Sequence, residues 1–167
     1  MKQYVLIILL SVGLFVLSYI WSLLESYINK VRTRICFKQS LKDCDLAIIS
    51  LYNGDKKLNF IIDSGSTSNV IDEESLEGLS FKDERADTSK IETYGVGGTQ
   101  NTSKVVSMYL TTKKERFYEV FYVMDIKDNF FWGSKEFGET IDGILGMDFL
   151  THYNKIIDFD NCIIYSK

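Results

Sequence analysis

Phe60-Ile61-Ile62-Asp63-Ser64-Gly65-Ser66-Thr67 is the stretch on which the fold turns. A short continuous apolar run is the pattern of a strand buried on both faces, and Ser-Gly directly after Asp bends the chain into a tight turn. Asp63 is therefore expected at the tip of an inner strand, a carboxylate placed where the apolar residues stop. Residues 46–52 and 58–62 are apolar runs rich in Leu and Ile on either side of Asn53-Gly54-Asp55, so a hairpin delivers Asp63. Taken alone, Asp-Ser-Gly is also an ordinary turn, because Asp and Ser bond their own backbone and Gly accepts positive φ.

A second element changes that balance. Ile141-Asp142-Gly143-Ile144-Leu145-Gly146-Met147-Asp148-Phe149-Leu150 is again a short apolar run, then Gly, then a helix-like pattern. The two elements, in this order, resemble those of the retropepsin-like aspartic proteases, and the resemblance covers residues 45–167. It implies a mostly β, single-domain retropepsin-like fold with one short C-terminal helix, expected over 147–153. It implies further that Asp63 is the catalytic carboxylate and that Ser64, Gly65 and Ser66 complete its active-site loop. Ile144, Leu145 and Gly146 would form the supporting strand that threads beside the loop. Asp148 then falls in the first turn of the helix, where the backbone dipole favours it, and His152 is a packing or surface residue.

Residues 91–100 read as a strand entering a glycine-rich turn. No Lys-Ser/Thr follows and the Rossmann spacing is absent, so this is not a phosphate loop. Under the resemblance, Tyr94, Gly95, Val96, Gly97 and Gly98 take the place of the flap, a hairpin that closes over substrate. Glycine lets such a tip open and lets a peptide backbone approach it closely; a plain hairpin turn is the alternative. Residues 105–110 and 117–124 predict another antiparallel pair, and 155–159 with 162–165 the last strands. Residues 72–77 predict a short helix, 81–89 a charged loop, and 128–138 an aromatic, irregular segment.

Ahead of all this lies a different kind of sequence. Residues 4–24 carry no charge over 21 positions, about 31 Å as a helix, which matches a bilayer core. Residues 1–26 are thus read as a membrane anchor, 27–44 as a basic linker able to continue the helix, and 45–167 as the domain. The apolar stretch exceeds that of a signal peptide, and Ser22-Leu23-Leu24-Glu25-Ser26 is a poor cleavage site. Lys30, Arg32, Arg34, Lys38 and Lys42 outweigh Lys2, which by the positive-inside rule points the domain to the cytoplasmic face; signal anchors, which export the domain behind them, begin in the same way.

Six of the 19 basic and two of the 23 acidic residues precede Asp45, leaving 13 and 21, a net of −8. An acidic domain repels phosphate backbones, which excludes nucleic acid as a partner. Cys36, Cys44 and Cys162 match no zinc spacing, His152 is the single histidine, and the acids at 72–77 lack the spacing of a calcium loop. No metal and no cofactor is expected.

The chemistry the resemblance implies needs two carboxylates sharing a proton, one to take a proton from water and one to polarise the scissile carbonyl. Only one Asp-Ser/Thr-Gly exists, since Asp142-Gly143 lacks the hydroxyl residue. The second carboxylate is expected from a second copy of the chain across a twofold axis. The partners expected are thus the chain itself, a protein or peptide substrate held as an extended strand, and membrane lipid around the N-terminal helix. Ser66 is expected to donate to the outer carboxylate oxygen of Asp63, so that S66A raises the pH of activity. The alternative function is a catalytically inactive protease-like module for dimerisation or peptide binding.

Overall fold

In the computed structural model, which describes residues 2–84, 91–95, 98–102 and 104–167, the apolar amino-terminal run forms one helix, α1 (Lys2–Thr33). Ser11–Thr33 is long and apolar enough to cross a membrane by length and composition. From Val12 onward its large apolar side chains, among them Phe15, Trp21, Ile28 and Val31, are exposed. The end of α1 is nevertheless fixed to the domain. Lys30 Nζ pairs with Asp158 at 2.8 Å and lies over the Tyr165 ring, while Thr33 Oγ1 accepts the Ser166 amide at 2.9 Å. Behind it, β1 (Ile35–Cys36) and α2 (Lys38–Cys44) sit on the domain, and Phe37 between them is wholly buried.

The domain is built on a hairpin, β2 (Ile48–Asn53) and β3 (Lys56–Ile62), turned by Gly54 at φ 61°. β4 (Val70–Asp72) follows, then a 3-10 turn at Glu74–Leu76 and β5 (Phe81–Glu84). Next come the two-stranded ribbon β6 (Ile91–Gly95) and β7 (Gly98–Thr102) and the long pair β8 (Val105–Thr111) and β9 (Arg116–Met124). α3 (Phe131–Phe137), β10 (Gly143–Leu145), α4 (Met147–His152), β11 (Lys155–Asp158) and β12 (Ile163–Ser166) complete it. This is the mostly β domain with a short C-terminal helix that the sequence predicts.

Seven strands share one sheet in the order β2-β3-β10-β4-β9-β8-β5, and a further pairing of β2 with β8 curls it back on itself. β1, β12 and β11 make a second, three-stranded sheet. The curled sheet encloses one apolar core. Phe60 and Phe121 stack at 5.6 Å in it, beside Leu51, Leu58, Ile71 and Leu145. Such a ring pair adds about 1 kcal/mol beyond the area it buries.

Two expectations are corrected. Of the loop expected over 81–89, Phe81–Glu84 is a strand that pairs antiparallel with β8 from Phe81↔Met108 to Glu84↔Val105, and 85–89 lie outside the described residues. An edge strand tolerates the charges that made it look like a loop, because one of its sides faces no partner strand. The aromatic segment is helical at Phe131–Phe137. Phe130 and Phe137 pack against a second small core of Ile48, Ile61 and Ile141, and Gly138 ends the helix at φ 76°. Tertiary burial of those rings overrides a composition that lacks helical periodicity.

Candidate active site

Asp63 follows directly on β3, and its position is set by strand pairing rather than by its own contacts. β10 runs parallel to β3, with Gly143↔Phe60, Ile144↔Ile61 and Leu145↔Ile62 in register, and antiparallel to β4 on its other side. The strand from the distant second motif is therefore inserted between the two strands that flank the Asp63 loop. The Asp63 amide donates to Leu145 O at 3.1 Å, one step beyond the ladder. Ile144, Leu145 and Gly146 thus lie beside the loop.

The loop is closed by short bonds of its own. Gly65 N donates to Asp63 Oδ1 at 2.8 Å, and Ser66 N donates to Asp63 O at 3.2 Å. Asp63 is half-buried while Ser64 and Gly65 are exposed, so the carboxylate is oriented yet open to an incoming group. Ser66 does not fill the role expected of it: its Oγ donates to Ser68 O at 2.8 Å, bracing the loop instead of meeting the carboxylate. That removes the physical basis for a pH shift in S66A.

A second layer locks the loop to α4. Met147 N donates to Ser66 O at 2.8 Å and Asp148 N to Thr67 O at 3.0 Å, so the first turn of α4 finds its backbone acceptors in the loop itself. A side chain at Gly146 has no room, since a Cβ there would stand 2.5 Å from Ser68 O and 2.7 Å from Ser66 O. Gly143 is equally constrained, with Val70 O 2.3 Å from its would-be Cβ. Both glycines of the second motif are there because backbone passes over backbone.

Beneath lies a polar group that sequence reasoning missed. Asn69, wholly buried, accepts the Gly146 amide on Oδ1 at 3.0 Å and donates through Nδ2 to Glu119 Oε2 at 2.6 Å. Glu119 is only 3 % exposed and its Oε1 has no hydrogen bond; His152 Nδ1 stands 3.4 Å from it. Burial pushes the Glu119 carboxyl above the usual range, against the pull of nearby Tyr153, His152 and Asn69. The signal was present in the strand alternation, where Glu119 shares the inward face of β9 with Phe117, Phe121 and Val123.

Asp142 is not a second catalyst. Its carboxylate is 8 % exposed and accepts from Asn59 N and Ser75 Oγ, each at 2.8 Å. Burial raises its pKa, while those two donors oppose the rise. Asp142 precedes β10 whereas Asp63 neighbours the far end of that strand, so the two serve different places. Asp148 lies in the first turn of α4, and His152 is exposed and stacked on Tyr153.

Of the residues proposed for the flap, Tyr94 and Gly95 end β6 and pair with Thr99 and Gly98 of β7. Val96 and Gly97 lie outside the described residues. Among the described residues no group of three or more His, Cys, Asp or Glu is arranged to hold a metal ion. One oriented, accessible carboxylate has the geometry to exchange a proton with a bound water.

The family model for aspartyl proteases matches residues 49–149. Among solved structures, the chain is similar to the retroviral protease-like domain of Ddi1 from Leishmania major, at 18 % identity and a TM-score of 0.49, with 72 % of this chain and 87 % of that one covered. It is also similar to the EIAV protease in complex with an inhibitor, at 19 % identity and a TM-score of 0.47, covering 64 % of this chain and 86 % of that one. No curated protein matches the chain.

Proposed function

The chain belongs to the aspartyl protease family, and from that premise we propose that it is a membrane-anchored, homodimeric endopeptidase whose catalytic dyad is Asp63 and its copy in a second chain. The observation that carries this reading is the single oriented carboxylate. Asp63 is held by Gly65 N and by the strand insertion of β10, and its loop is braced by α4. Such rigidity is what a reacting group requires.

Two carboxylates brought together by a twofold axis would share one proton, one member acting ionised and the other protonated. The ionised member takes a proton from water as the water attacks the scissile carbonyl, and the protonated member stabilises the oxygen that becomes negative. Substrate would lie as an extended strand between the Asp63 loops and the β6–β7 ribbon. Ser64 would brace the two loops across the axis. The exposed apolar surface of α1 supports attachment to a bilayer, which also raises the effective concentration of two chains in one plane.

The test is cleavage of a peptide library by the full chain in detergent. We expect wild type to cut and D63N to lose at least about 10³-fold in kcat/KM, with the same thermal midpoint. Equal turnover by D63N would end the proposal, and a stable dimer that never turns over would favour a peptide-binding module.

A further inference from the structure

Four cations meet where α1 enters the domain, and the fold uses none of them. A groove of about 300 Å³ is lined by Arg32 in the last turn of α1, by Arg34 just beyond it, and by Lys113 and Lys114 in the β8–β9 turn. All four are exposed, and no acidic residue lines the groove. Among the described residues none of the four forms an ion pair. The nearby carboxylate of Glu115 is already taken by Lys155 at 2.9 Å. Against residues 45–167, whose net charge is −8, Arg32 and Arg34 join Lys113 and Lys114 in a locally positive site.

The groove is continuous with a second, apolar surface. Ile28 and Val31 on α1 are 51 % and 38 % exposed, so the helix presents hydrocarbon up to the residue before Arg32. A soluble anion would use the charges and leave that surface bare. A phospholipid uses both, with its phosphate on guanidinium and ammonium groups and its chains along the helix.

Resting on the membrane-anchored reading above, we propose that this groove seats the headgroup of an anionic phospholipid. Arg32 and Arg34 supply forked donors to the phosphate oxygens, and Lys113 and Lys114 supply charge from the domain side. Because Arg32 and Arg34 lie at the exit of α1 and Lys113 and Lys114 in the β8–β9 turn, a bound headgroup bridges a joint that the Lys30–Asp158 pair already holds and fixes the height at which that joint meets the bilayer.

The full chain in neutral detergent is mixed with equal phosphatidylserine and phosphatidylcholine, and the retained lipid is counted by native mass spectrometry. Phosphatidylserine is expected to be kept preferentially. Removing two cations in the double variant R34Q/K113Q is expected to cut that retention roughly thirtyfold, while K38Q/K135Q leaves it intact. Equal retention of the two lipids, an unchanged preference in R34Q/K113Q, or full displacement by millimolar inorganic phosphate would each overturn the proposal. Flotation with pure phosphatidylcholine vesicles reads the anchor separately. A chain that floats without lipid preference loses only the groove, and one that keeps phosphatidylserine without floating loses only the anchor.

Discussion

Glu119 is the residue whose surroundings least resemble its chemistry. A carboxyl on the inward face of β9, with one oxygen on Asn69 and the other unbonded, is held above its usual range by burial. With the folded value raised above the unfolded one, the stabilising contribution of the protonated form is complete below the ordinary carboxylate range, about pH 4.3, and is lost as pH rises through the folded value. Tyr153, His152 and Asn69 favour the ionised Glu119 and so offset part of this loss, while Asp148 opposes it. We expect E119Q to match wild type in urea unfolding near pH 4 and to gain on it, by on the order of 1 kcal/mol, toward pH 8. A gap that shrinks as pH rises would contradict this account. Nothing in composition marked Glu119; the alternation of β9 did, but an acidic residue in that phase is readily taken for a break in the pattern. Asp63 was the opposite case, legible because an apolar run stops against it.

At the scale of elements, the strand insertion was legible only through the resemblance carried by two motifs some eighty residues apart; periodicity alone gave a short apolar run with no partner assigned. What the sequence left hidden was everything set by tertiary contacts: α3, which with the preceding Phe130 packs Phe137 against a second small core, and β5, whose charges disguise an edge. The contact of α4 with the Asp63 loop yields a prediction. G146A drives a methyl against Ser66 O and Ser68 O, which are backbone and cannot swing aside. We expect a loss of about 1–3 kcal/mol in urea unfolding, as for other overpacked sites, with a fall in kcat larger than any change in KM because the loop carrying Asp63 must shift. The joint of α1 with the domain gives another. The Lys30 ammonium, helped by Asn161, holds the Asp158 carboxyl down to about 2. That contribution is present above the ordinary carboxylate range and disappears as pH falls through about 2. Spin labels at positions 27 and 159 should keep a narrow distance distribution to about pH 3 and broaden below it; broadening already at pH 5 would show that the pair does not hold the joint.

For the whole molecule, the single Asp-Ser-Gly makes each chain half of a catalyst under the proposed reading. Mixing equal amounts of wild type and D63N, then letting subunits exchange at fixed total concentration, leaves about one quarter of the dimers with two carboxylates. Activity should settle near a quarter of the undiluted value, whereas about a half would mean that each chain works alone. The acidic character of the domain, legible from residue counts, excludes polyanions from its general surface; the basic groove was not legible, because Arg32 and Arg34 meet Lys113 and Lys114 only once β1 and the β8–β9 turn are side by side.

The grip of β12 on the last turn of α1 has a mechanical meaning. A domain hung on a loose tether would sweep a hemisphere and reach bonds at many heights. Here the helix passes into the fold without slack, held by the Lys30–Asp158 pair and by the bond from Ser166 to Thr33. Under the proposed membrane-anchored reading the stalk would act as a gauge, offering the Asp63 loop at one fixed elevation. Which bond of a neighbouring protein is cut would then be chosen as much by altitude as by side-chain fit.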